Sequence, residues 1–127
     1  MQEIKRILVL DDHANLLDIV KEVLIYENYE VKSTASSKEL IPLALSYLPD
    51  LVMIDCHLAG CNGASLCKQL KAHPQLCHIP AVICSAYVDQ NTTIEAYHCD
   101  AVIAKPFSMK DLVDTINTLL VVPDATN

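Results

Sequence analysis

The sequence predicts one doubly wound α/β domain built on a five-stranded parallel sheet, and three observations predict it. Four short apolar runs, Ile7–Leu10, Leu51–Ile54, Ala81–Cys84 and Ala101–Ala104, show no alternation with polar residues. Strands buried on both faces read this way, as in a parallel sheet covered by helices. A fifth segment, Tyr29–Thr34, does alternate, which places it at a sheet edge. Segments of helical length separate the five, so β and α alternate along the whole chain.

Taken in order, the first strand leads to a helix over Ala14 to Glu27, with apolar residues at 16, 17, 20, 23 and 24 and Asp12 as a candidate N-cap. After the edge strand, Ser37 to Tyr47 reads as a helix in which Pro42 predicts a kink or a delayed start. The third strand is followed by a helix over Ala64 to Ala72, stopped by His73-Pro74. A short, weakly patterned helix over Thr92 to His98 follows the fourth strand. The last helix, Ser108 to Leu120, carries apolar residues at 109, 112, 113, 116, 119 and 120 and is ended by Pro123. Right-handed crossovers then gather every strand's C-terminal end on one edge.

Composition narrows the function classes. The chain has 127 residues, 52% hydrophobic and 20% charged, which suits one folded domain. No apolar run approaches the ~20 residues of a bilayer span, and the N-terminal stretch MQEIKRILVLDD lacks an export signal. A cytoplasmic location is expected, with no membrane association. The six cysteines (56, 61, 67, 77, 84 and 99) are therefore expected as reduced thiols. Nine Lys and Arg against 16 Asp and Glu give a formal charge of −7, which argues against direct nucleic-acid binding.

Ligands of open α/β sheets bind beyond the carboxyl ends of the strands. Asp11 and Asp12 follow the first run, Asp55 the third, Ser85 the fourth and Lys105 the fifth. Three carboxylates on one edge repel one another unless a cation neutralises them, and oxygen donors suit Mg²⁺. With the metal in place a carboxylate can attack a phosphoryl group and become an acyl phosphate. Lys105 offers a compact positive charge to a phosphoryl oxygen, and the Ser85 hydroxyl a hydrogen bond. Asp55 is the candidate nucleophile and the Asp11-Asp12 pair the metal end.

These residues resemble the response regulator receiver family over essentially the whole chain. The resemblance rests on Leu10-Asp11-Asp12, Val52-Met53-Ile54-Asp55, Gly63 eight residues further, Ser85, and Lys105-Pro106-Phe107. Each motif is weak alone; their order and spacing are specific. The resemblance implies a flavodoxin-like (βα)₅ fold with strand order 2-1-3-4-5 and a receiver core over residues 4 to 121 without an output domain. It implies Asp55 as phosphoacceptor, with Lys105 and Ser85 completing the catalytic set. It further implies that Asp12, Asp55 and the His57 backbone carbonyl hold Mg²⁺ with Asp11 assisting, and that the Lys105–Pro106 peptide is cis. The implied donor is a sensor histidine kinase or a histidine phosphotransfer protein. The implied output is a switched contact with a downstream protein, by a receiver that catalyses its own phosphorylation and dephosphorylation.

The chain departs from the family at three places. Val102 stands three residues before the lysine, where an aromatic switch residue is usual, so the usual aromatic coupling is expected to be absent or replaced, and plain core is the favoured reading. Ala59 replaces a common proline, and His98 replaces the glycine that commonly ends the fourth helix, predicting an unusual helix ending. His57 and Tyr87, each two residues beyond a site residue, are candidates for tuning the lifetime of the phosphoryl group, with solvated loop residues as the plain alternative.

Other readings fit less well. Cys56, His57 and Cys61, or His73, Cys77 and His78, suggest zinc, yet neither group has paired CxxC spacing. Cys67 and Cys84 read as core thiols. A flavin carrier would need a glycine- and hydroxyl-rich loop where Asp11-Asp12-His13-Ala14-Asn15 stands. A haloacid-dehalogenase-type phosphatase would need a DxD motif where the two aspartates are adjacent. The runner-up is a receiver-like interaction module that works without phosphorylation. No dimer signature stands out, and a monomer is the default.

Overall fold

The computed structural model describes residues 4–11, 13–55, 62–85, 98–105 and 107–120, with the side chains of residues 14–16 outside that description. In chain order these residues form β1 (Arg6–Asp11), α1 (Ala14–Tyr26), β2 (Glu30–Thr34), a 3₁₀ turn (Ser37–Glu39) and α2 (Leu40–Tyr47). There follow β3 (Leu51–Asp55), α3 (Gly63–Ala72), β4 (Ala81–Ser85), β5 (Ala101–Ala104) and α4 (Met109–Leu120). All pairings are parallel, in the order β2-β1-β3-β4-β5. This is the predicted topology, with the alternating segment at one edge.

The unbroken apolar runs are explained by two cores, one on each face. Leu8, Leu10, Val52, Ile54 and Ile83 point to one side, against Leu40 and Ala44 of α2 and Leu66, Cys67 and Leu70 of α3. Their neighbours Ile7, Val9, Leu51, Met53, Val82 and Ile103 point to the other, against Val20 and Leu24 of α1 and Leu112 and Ile116 of α4. Each residue of the first three runs thus serves a core, because side chains alternate along a strand, while Ala104 at the end of the fourth is exposed. Burying each large aliphatic side chain contributes about 1.5–3 kcal/mol. On β2 the pattern differs: Glu30 and Lys32 are exposed and Thr34 is buried, as suits an edge.

The helices follow local chemistry. The expected start at Ser37 is taken by the 3₁₀ turn, and the α-helix begins at Leu40. Pro42 therefore falls in the first turn of α2, where its missing N–H costs no helical bond. Helix α3 starts at Gly63, capped by Asn62, whose Oδ1 accepts the Ser65 N–H at 3.0 Å. It ends at His73, held extended ahead of Pro74. Ser108 caps α4, its Oγ accepting the Asp111 N–H at 3.0 Å. None of the described helices is long and apolar enough to cross a membrane.

Among the described residues, three that are not glycine, Asn28, Leu48 and His98, take the left-handed conformation. The unusual ending expected at His98 is thus present as a histidine with φ of 56°. The rest of the helix expected over Thr92 to His98 lies outside the described residues. Cys67, Cys84 and Cys99 are buried thiols and Cys77 an exposed one, all four free.

Candidate active site

Strand register brings the predicted residues together. Asp11, the last residue of β1, stands directly opposite Asp55, the last residue of β3. Asp55 pairs in turn with Cys84 on β4, and Ser85 with Ala104 on β5. Lys105 comes next after β5, and its backbone N–H donates to the Ser85 carbonyl at 2.8 Å. The four residues Asp11, Asp55, Ser85 and Lys105 therefore lie along the C-terminal edge of the sheet. Asp12, His57, Tyr87 and Pro106 lie outside the described residues.

The side chains are arranged by the same alternation that builds the cores. Asp11 continues the Ile7–Val9 phase of β1, and Asp55 the Leu51–Met53 phase of β3, so both point to the α1/α4 side. Both are fully buried. Lys105, with its side chain 15% exposed, reaches back to form an ion pair between Nζ and Asp55 Oδ1. Asp11 Oδ1 accepts the His13 backbone N–H at 2.8 Å. This turn, in which an aspartate binds an N–H two residues on, is a known habit of Asp. It was readable from Asp11 in a loop start, although it was not among the predicted features.

Buried like charges side by side are unfavourable, and one ammonium does not balance two carboxylates. Asp11, Asp55 and Lys105 together carry a formal charge of −1. Such a set of hard oxygen donors is chemically suited to a divalent cation such as Mg²⁺. Cys84 lies in register with Asp55. Its thiol is pushed far above the ordinary range, first by burial and then by the Asp55 charge, with Lys105 opposing. It therefore stays protonated and apolar beside the carboxylates, in keeping with its reading as a core thiol.

Two residues that the sequence singled out lie on the α2/α3 face of the sheet. Gly63 packs tightly under the edge: a Cβ there would sit 3.3 Å from Ile83 Cδ1 and 3.6 Å from Ile54 Cγ2. Val102 stands opposite Ile83 and packs, partly buried, on the α2/α3 core. It is core in this structure, as its plain reading held.

A sequence profile of the response regulator receiver domain matches residues 7–117. The chain belongs to the response regulator receiver family. Among relatives of this receiver, the response regulator SaeR of Staphylococcus aureus (strain USA300) is 35% identical over 116 residues, 90% of this chain and 50% of SaeR. The chain thus spans about half the length of the curated relatives it matches. Among solved structures, a CheY-like response regulator receiver domain protein from Methanospirillum hungatei JF-1 superposes with a TM-score of 0.80 at 28% identity, covering 91% of this chain and 93% of that one. The receiver domain of sensor histidine kinase PA1611 from Pseudomonas aeruginosa PAO1 has the same fold, with a TM-score of 0.80 at 18% identity, covering 92% and 98%. That structure has a magnesium ion coordinated in its active site cleft.

Proposed function

We propose that this receiver takes a phosphoryl group onto Asp55 from a partner phosphohistidine and thereby switches its contacts with a downstream protein. The observation that carries the reading is the Lys105–Asp55 ion pair, formed at a buried carboxylate directly opposite a second one, Asp11. In the transfer, an Asp55 oxygen bonds to phosphorus as the N–P bond of the donor breaks, and its electron pair stays on the ring nitrogen, leaving a neutral imidazole whose other nitrogen carries the proton. Lys105 then exchanges its carboxylate partner for a phosphoryl oxygen, and the Ser85 hydroxyl donates to another.

Asp11, Asp12, Asp55 and the His57 carbonyl are the residues that would hold Mg²⁺. Bound there, the ion would screen the carboxylates and allow an anionic phosphoryl group to approach. The buried carboxylate pair fits that role, and the magnesium in the PA1611 receiver cleft supports it. His57 and Tyr87 are assigned to tuning the acyl-phosphate lifetime, and exchange of each for alanine should change the decay rate of phosphate. The receiver domain is taken as residues 1 to 127, with its core over residues 4 to 121, acting by protein contact in the cytoplasm. Its hydrolysis of the acyl phosphate is self-catalysed.

Val102 packed as core gives the alternative, a module that binds partners without phosphorylation, its one structural foothold. Beryllofluoride, a phosphoryl mimic, separates the two. With Mg²⁺ it should bind one equivalent per chain and shift the resonances of Ser85 and Lys105. No binding by the folded wild-type chain would favour the alternative.

A further inference from the structure

Outside the strand-end site, one unexplained grouping of reactive side chains among the described residues lies on the α2/α3 face, where α3 meets the start of β5. Cys67 of α3 is fully buried, and Cys99, just before β5, is 8% exposed; both belong to the same core cluster. The segments that carry them are tied together. Lys71, one helical turn beyond Cys67, donates from Nζ to Asp100 Oδ2 at 2.8 Å and to the Ile79 carbonyl at 2.9 Å. Asp100, the residue after Cys99, also accepts the Ala81 N–H at 2.7 Å and donates its own N–H to the Ala81 carbonyl at 2.8 Å. The two cysteines thus sit in one core cluster, on either side of one fixed seam.

We propose that Cys67 and Cys99 are a latent redox pair that closes to a disulfide under a hydroperoxide, stapling α3 to the start of β5. Reaction begins at Cys99. Burial raises both thiols, Cys67 up to about 12, so neither is a ready thiolate at neutral pH. At Cys99, however, the backbone N–H groups of Ala101 and of Cys99 itself oppose that rise. It also lies at the edge of the core and follows His98, whose left-handed backbone is strained for a non-glycine residue. In the first step the Cys99 sulfur attacks the peroxide, the O–O bond breaks, and a sulfenic acid and one water form. In the second step the Cys67 sulfur attacks that sulfenic sulfur, and a second water leaves as the S–S bond forms. Two thiols have lost two electrons and two protons, and one hydrogen peroxide has become two waters.

β5 leads directly to Lys105, so a staple at its start would tether the strand that presents the site's ammonium. The pair is independent of the phosphoryl chemistry and can be tested without it. The folded, reduced chain would be treated with hydrogen peroxide, its remaining thiols alkylated after unfolding, and the products mapped by mass spectrometry. The expected product is two hydrogens lighter, joined between Cys67 and Cys99, and restored by dithiothreitol. In Cys67→Ala the cross-link should vanish while Cys99 proceeds to sulfinic acid, and in Cys99→Ala Cys67 should remain alkylatable. Wild-type protein whose Cys67 and Cys99 stay alkylatable, oxidise separately, or pair with other cysteines would overturn the proposal.

Discussion

Asp11 and Asp55 face each other across the β1–β3 pair, residue for residue, and neither carboxylate reaches solvent. A fold selected only for stability would not place two acids there. Replacing Asp11 by asparagine removes one charge and leaves the Lys105–Asp55 pair in place. We expect Asp11→Asn to stabilise the chain by about 1–2 kcal/mol in EDTA. The same variant should lose most of the increase in melting temperature that Mg²⁺ gives the wild type. Thermal melts with and without Mg²⁺ check both parts, and a variant that melts lower in EDTA contradicts the account.

Lys105 does the opposite job. Lys105→Met removes the ammonium that pairs with Asp55, so the two buried acids lose a positive charge beside them. The expected cost is about 3 kcal/mol at neutral pH without metal. Because a divalent cation supplies the missing positive charge, saturating Mg²⁺ should recover much of the loss. Urea unfolding under the two conditions measures the difference.

His98 holds a backbone conformation that costs a non-glycine residue about 1–2 kcal/mol, and its side chain is exposed. His98→Gly relieves that strain at the expense of a more flexible unfolded chain. The expected gain is about 0.5–1 kcal/mol, read as a higher urea midpoint with unchanged slope. No gain would mean that the histidine makes compensating contacts.

Cys67 gives the chain a pH dependence of definite sign. Its thiol rises from an ordinary value of 9.0 to about 12 in the folded state, chiefly by burial. Folding therefore favours the protonated form. That contribution is complete below about pH 9 and is lost as pH climbs toward 12. Stability should fall across this window, and Cys67→Ala should flatten the fall even though it lowers stability at neutral pH by leaving a small cavity. Denaturation at a series of pH values gives the slopes; equal slopes in the two proteins would contradict the burial argument.

Much of this architecture was legible because strand chemistry is written in short runs. The phases of Ile7–Leu10 and Leu51–Ile54 determine which side of the sheet Asp11 and Asp55 face, so their convergence followed from reading the run ends. Phe107 and Gly63 added spacing that a family resemblance could use. Helix ends were less legible. Nothing about Leu48 announces a left-handed C-cap, because the usual signal there is glycine. The 3₁₀ entry to α2 depends on where Thr34 Oγ1 and Glu39 meet, at 3.0 Å, a contact across a turn that no periodicity encodes. The nearness of Cys67 and Cys99 was invisible for a related reason. It arises from tertiary packing of α3 against the β4–β5 pair, secured by Lys71 and Asp100, rather than from any local pattern.

The central claim is that Asp55 carries the phosphoryl group with the help of a divalent cation. The direct measurement is to incubate the chain with a small-molecule phosphodonor and Mg²⁺ and locate the modified residue by mass spectrometry. The account predicts one hydroxylamine-sensitive phosphoryl group on Asp55, absent in EDTA and absent in Asp55→Asn. Undiminished phosphorylation of a folded Asp55→Asn chain, or modification of another residue in the wild type, would contradict it.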